Sequence, residues 1–150
     1  MRALTRTTSC CWMALVALFA ASPALSDDTQ VVVIAHSTVP LDTLSRSDLI
    51  EYYTGERNHW PDKTDVILLD LKPKNATKKA FYDFLGKRPS RLKSIWMKKM
   101  LSGEGDPPEA LKSESEIPEK VQSTPGALSF VGKPFSSEQI KTLLVIPESE

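Results

Sequence analysis

The stretch from Lys72 to Lys79 contains the residues of this sequence that are best suited to bind an anion. Asn75 is a good N-cap residue, so a helix is predicted to begin just after it. The free N–H groups of a first helical turn, together with its partial positive charge, attract anions. We predict ligand contacts from the loop and this first turn, namely Lys72, Lys74, Asn75, Ala76, Thr77 and Lys78. A solvated helix start without any ligand explains the same residues.

A second polar group follows the apolar run Val31 to Ala35 and consists of His36, Ser37 and Thr38. In α/β sheets, ligands usually meet the carboxyl ends of parallel strands. If both strands run in the same direction, these three residues share one sheet edge with the lysine-rich loop, and we include them in the predicted ligand site. A histidine that only caps a loop is the alternative reading of His36.

Catalysis and metal binding receive little support from the residues. Cys10 and Cys11 both precede the predicted mature chain, which therefore has no thiol for a disulfide, a metal site or a nucleophile. His36 and His59 are far apart and lack metal-type spacing. The sequence has no nucleophile elbow, Walker loop or clustered acidic pair. We therefore predict a protein that is not an enzyme, with no catalytic residue, metal site or cofactor.

Residues 1–26 have the pattern of a signal peptide. Arg2 and Arg6 precede an apolar segment from Trp12 to Ala21, and a small-x-small cleavage signal ends at Ser26. The apolar segment is too short for a stable membrane span. We predict a periplasmic or secreted chain, residues 27–150, that has no stable membrane span after cleavage.

The predicted mature chain of about 124 residues is long enough for one domain. Loss of Arg2 and Arg6 reduces the 19 basic residues to 17, against 19 acidic ones, which leaves a formal charge of −2. That charge does not favour a nucleic-acid-binding protein.

Short apolar runs predict strands at residues 31–35, 66–71, 127–131 and 143–146. Because predicted helices alternate with these strands, the sequence indicates an α/β domain with a sheet that is at least partly parallel.

The helices are indicated by caps and by apolar residues at helical spacing. Ser45 and Asp48 form a predicted capping box, and Gly55 is placed to end that first helix. The other helices are predicted after Asn75, around Leu92 to Met100, from Ser113 or Ser115 to Gln122, and as one last turn near Ser136 to Gln139. Glycines and prolines between Gly103 and Pro108 indicate a loop.

Several short motifs occur in a characteristic order along the chain. They are Leu-Ser-x-x-x-Leu at 44–49, Gly55 followed by Trp60, Phe81 after the basic loop, and Thr-Pro-Gly-Ala at 124–127. In this order the chain resembles the phosphate-type substrate-binding proteins of bacterial ABC transporters, and more closely their short single-domain relatives. The fold implied is a three-layer α/β sandwich with a mixed, mostly parallel sheet, resembling one lobe of a type II periplasmic binding protein.

The resemblance implies an oxyanion such as phosphate as ligand, and an ABC transporter or another envelope protein as partner. The family carries Ser-Gly-Thr at the helix start, where this chain has Asn75, Ala76 and Thr77. It also commonly carries an arginine where Leu71 stands here. Two functions stay open: a periplasmic oxyanion-binding protein, or an envelope interaction or sensor module with a degenerate ligand site.

Overall fold

The computed structural model describes residues 30–147, so the predicted signal peptide lies outside the described residues. In this part of the chain the strands are β1 (Val31–His36), β2 (Ile67–Leu71), β3 (Glu109–Leu111), β4 (Ala127–Val131) and β5 (Ile140–Ile146). The helices are α1 (Arg46–Tyr53), α2 (Ala76–Leu85), α3 (Pro89–Ser102) and α4 (Glu116–Gln122). None of these helices has both the length and the apolar character needed to cross a membrane.

The strands form one sheet in the order β3-β2-β4-β1-β5. Strand β2 pairs in parallel with both β3 and β4. Strand β1 is antiparallel to both β4 and β5. Four strands therefore run in one direction and β1 alone runs in the other, which confirms the predicted mixed, mostly parallel sheet.

Helices cover both faces of this sheet. Strands β1 and β4 are buried at every position, although their side chains alternate between the two faces. On the face covered by α2, Phe81 stacks on Phe130 of β4 at 4.1 Å between ring centroids, and Tyr53 of α1 meets Phe81 edge-on. Helix α4 contacts β4, β1 and β5. The result is the predicted three-layer α/β sandwich.

The predicted helix boundaries are confirmed at their caps. Ser45 and Asp48 form the reciprocal capping box of α1, and Gly55 takes the left-handed conformation just beyond its end. Asn75 caps α2, and Gly86 ends it with a φ of 67°. These signals are local, so the sequence was sufficient to predict them.

Two segments differ from the sequence prediction. Strand β3 was not predicted, because its three residues are partly or fully exposed and form a strand only by pairing with β2. The predicted helical turn near Ser136 to Gln139 is wrong. There, Ser137 forms an isolated antiparallel bridge with Ile140, and β5 begins at Ile140.

Candidate functional site

The start of α2 lies where a buried strand meets a solvent-exposed loop. After Leu71, the chain turns through exposed Lys72, Pro73 and Lys74, and Lys74 has a positive φ of 77°. The Asn75 side chain accepts a hydrogen bond from the backbone N–H of Lys78 at 3.0 Å. This cap fixes the direction of the first turn, so the N–H groups of Ala76 and Thr77 point out of the helix end.

Thr77 and Gly132 meet a carboxylate at this helix start. The Thr77 hydroxyl donates to Oε2 of Glu114 at 2.7 Å, and the Gly132 N–H donates to Oε1. Thr77 itself is buried. Gly132 comes directly after β4, while Glu114 lies between β3 and α4. Two separate segments of the chain therefore hold a negative group from a third segment at the position where a ligand was predicted.

Only glycine fits at position 132 without a shift. A Cβ atom there would lie 2.7 Å from Thr77 Oγ1 and 3.1 Å from Glu114 Oε1. The Gly132 backbone therefore lies closer to the Thr77 hydroxyl than a residue with a side chain would allow. Sequence reasoning missed both Glu114 and Gly132. A glycine just after a buried strand was the one signal that could have pointed to the second.

Lys78 points to a different carboxylate, that of Asp70 on β2. Its ammonium lies 2.7 Å from Asp70 Oδ2, and it also donates to the Leu71 carbonyl. The Tyr82 hydroxyl donates to the same Oδ2 at 2.8 Å. Burial, followed by the nearby charge of Asp70, raises the pKa of Tyr82 well above its usual value. The charge of Lys78 is therefore balanced inside the fold, whereas Lys72 and Lys74 are exposed to solvent.

The other predicted group, His36 to Thr38, lies at the opposite end of the strands, away from the carboxyl end of β2. Because β1 is antiparallel to its neighbours, His36 pairs with Ile140 at the beginning of β5. The prediction that these residues share an edge with Lys72 to Thr77 is therefore wrong. The Thr38 N–H donates to His36 Nδ1 at 3.1 Å, so the ring closes a local turn. Residues 30–147 also contain no cluster of three or more His, Cys, Asp or Glu residues that could hold a metal ion together.

The sequence matches no protein-family model and no curated protein. Solved structures do show the same fold. The first is a protein from Clostridium perfringens with bound phosphate, assigned as a phosphate ABC transporter substrate-binding protein, with a TM-score of 0.62 and 14% identity. An ABC-type phosphate transport receptor from Vibrio cholerae has a TM-score of 0.58 at 15% identity. PstS from Borrelia burgdorferi has a TM-score of 0.53 at 13% identity.

These similarities cover 75%, 75% and 70% of this chain, but only 43%, 44% and 42% of the respective solved chains. The chain therefore spans less than half the length of these proteins. At such low identity the comparison shows the fold, which is that of a periplasmic-binding-protein lobe.

Proposed function

We propose that this chain is an exported, non-catalytic binding domain, residues 27–150, that binds a small oxyanion of the phosphate class at the start of α2. One observation carries the proposal: Thr77 and Gly132 donate to the two oxygens of a single carboxylate. Phosphate and sulfate also present adjacent negative oxygens, so the same pair of donors suits them. The fold shared with a phosphate-bound structure supports this ligand class.

The surroundings of the site add positive potential without a direct ion pair. The first-turn N–H groups of α2 and its dipole favour an anion. Lys72 and Lys74 are exposed in the adjoining loop, where they act as long-range charges. We assign the direct contacts to Thr77 and Gly132, and assign to Asn75 the role of orienting the turn. His36, Ser37 and Thr38 are not part of this proposed site.

An incoming oxyanion competes with Glu114 for the same two donors. Both groups are negative, and each donor has one hydrogen to give, so the two cannot be held there together. Glu114 lies between exposed Ser113 and Ser115, which lets its side chain withdraw into water. The chain therefore binds a free anion only at the expense of its own carboxylate, and we expect weak affinity.

Calorimetric titration of the chain from Asp27 with sodium phosphate, sulfate and acetate tests this proposal. Glu114→Gln keeps the side-chain size and removes the competing charge, so phosphate binding should tighten about ten-fold or more. Thr77→Val should weaken it by a similar factor. Glu116→Gln, which removes an exposed carboxylate two residues away, is the matched control and should leave the affinity unchanged. If neither the unchanged chain nor Glu114→Gln binds any of these anions saturably, the proposal is wrong.

An envelope interaction or sensor module is the second candidate function. The observation that favours it is that the polar groups of the site already have partners within the chain. Glu114 accepts the hydrogen bonds of the site, and Asp70 forms an ion pair with Lys78. A domain that keeps these contacts permanently needs no small ligand, and its surface then serves a partner. For both candidates we propose a periplasmic location and an ABC transporter or other envelope protein as partner, supported by the fold shared with ABC-transport proteins.

A further inference from the structure

A groove of about 860 Å³ runs between α2 and α3. We call it the α2–α3 groove and define it by buried Tyr82, Leu92 and Trp96, exposed Met97 and Met100, and the surrounding residues Pro73, Lys74, Lys79, Lys93, Pro107 and Pro108. The groove includes Lys74, Asn75 and Ala76 at the start of α2, but the residues that make the contacts of the proposed anion site, Thr77, Glu114 and Gly132, do not line it. The groove is therefore a candidate binding surface that adjoins the anion site without including its direct contacts.

The groove exposes large apolar side chains that the fold leaves uncovered. Met97 is 45% exposed and Met100 is 46% exposed. They are three residues apart on α3, so they lie on the same side of that helix. Methionine is flexible and polarizable, and it adapts well to the side chains of a binding partner. The groove thus offers apolar contacts that can accept anchor residues.

The charge of the groove is positive. The two acidic residues that line it, Asp70 and Asp83, form ion pairs with Lys78 and Lys79. Within residues 30–147, Lys74 and Lys93 form no ion pair, and both line the groove.

Helix α3 reinforces this charge along its whole length. It carries four basic residues, Arg91, Lys93, Lys98 and Lys99, and no acidic residue. A binding partner with carboxylates flanking its apolar anchors would complement this surface.

We propose that the α2–α3 groove binds an acidic, amphipathic peptide segment of a partner protein. The partner's apolar side chains pack between Met97 and Met100 and over Trp96, and its carboxylates meet Lys74 and Lys93. A helix of 14 residues is about 21 Å long, enough to support a short peptide along its side. The surface is a concave cleft between two helices, which suits a peptide better than a flat bilayer.

Selection from a random dodecapeptide display library on the immobilised chain tests this inference. We expect the enriched peptides to carry Asp or Glu next to Leu, Ile, Phe or Trp. Fluorescence anisotropy of a labelled, enriched peptide then gives its affinity. Met97→Glu and Lys93→Glu should each weaken binding about ten-fold or more, because each places a negative charge in the groove.

Helix α3 provides a matched control for each variant. Leu101 is 80% exposed and Lys98 is also exposed, but neither lines the groove. Leu101→Glu and Lys98→Glu repeat the same changes on the same helix and should alter affinity less than about two-fold. Circular dichroism checks that every variant is folded.

Three results would overturn the inference: no enriched peptide, enriched peptides that are basic, or equal loss of binding in the control variants. Vesicles of phosphatidylglycerol provide a separate comparison. If they bind the chain, if Met97→Glu abolishes that binding, and if no peptide is enriched, the groove faces a membrane instead of a peptide. Thr77→Val should leave peptide binding intact, so failure of the oxyanion site does not count against the groove.

Discussion

Two adjacent residues at the start of α2, Thr77 and Lys78, each hold a carboxylate, but the two carboxylates have different surroundings. Lys78 meets Asp70, which is 8% exposed and also accepts hydrogen bonds from the Tyr82 hydroxyl and the Leu71 N–H. Thr77 donates to Glu114, which is only partly buried and accepts hydrogen bonds from two neutral donors.

The difference concerns what remains when the carboxylate leaves. Without Asp70, an ammonium group whose side chain is 14% exposed loses its counter-charge inside the fold. Under the proposed function, Glu114 moves into water and leaves two uncharged donors that another anion can use. We therefore expect the Lys78–Asp70 pair to be structural, and we propose that the Glu114 carboxylate at Thr77 is exchangeable.

The largest effect is expected from Asp70→Ala. This change leaves Lys78 without its ion-pair partner and Tyr82 without its acceptor, and loss of one member of a buried pair costs about 3–5 kcal/mol. Urea unfolding followed by circular dichroism measures the loss. Asp83→Ala removes the carboxylate of an exposed ion pair with Lys79 and should cost less than about 0.5 kcal/mol. Similar losses in the two variants would refute the structural role of Asp70.

A smaller effect is expected from Gly132→Ala. The new methyl group meets Thr77 Oγ1 at 2.7 Å, and such crowding typically costs about 1–3 kcal/mol. Thr77→Ala removes that oxygen. In the double variant the cost of Gly132→Ala should therefore fall well below its cost alone, as measured by urea unfolding. Strict additivity of the two changes would contradict the close approach of these residues.

A double-mutant cycle on Thr77→Val and Glu114→Ala, each of which removes one partner of the hydrogen bond, sharpens the comparison further. We expect a coupling free energy of about 1 kcal/mol, typical of a single hydrogen bond that water can replace. Unfolding of the two single variants and the double variant measures it. A coupling as large as the loss in Asp70→Ala would make Glu114 a structural residue, and would remove the basis for its exchange with an anion.

The smallest effect is expected at the start of α1, where a third carboxylate caps a helix. Hydrogen bonds from the Ser45 side chain and backbone lower the pKa of Asp48. Its contribution is therefore present above the unfolded pKa of about 4 and is lost as the pH falls through the lower folded value. Asp48→Ala should cost about 0.5 kcal/mol at neutral pH, because the group is partly solvated.

Unfolding of the Asp48 variant and the unchanged chain across the acid range checks this pH dependence. The difference between them should vanish once Asp48 is protonated in the unchanged chain. A difference that persists at the lowest pH would show that Asp48 stabilises α1 by something other than its charge.

Much of the architecture could be predicted from the sequence because its signals are local. The capping box at Ser45, the cap at Asn75 and the apolar runs of β1 and β4 each depend on neighbouring residues. Strand β3 could not be predicted, because hydrogen bonds to β2, rather than an apolar pattern of its own, define it. The antiparallel direction of β1 is also set by its pairing with β4 and β5. It places His36 at the opposite end of the strands from the lysine-rich loop.

The sequence by itself determined where α2 begins, and it predicted an anion at the first turn of that helix. Only the tertiary structure decided which carboxylates meet that turn. Glu114 is 37 positions from Thr77 and follows an unpredicted strand, and Gly132 comes from a third segment. Hydrogen bonds between distant segments leave no periodic signal in the sequence. Their partners are therefore set by the packing of β2, β3 and β4 in one sheet.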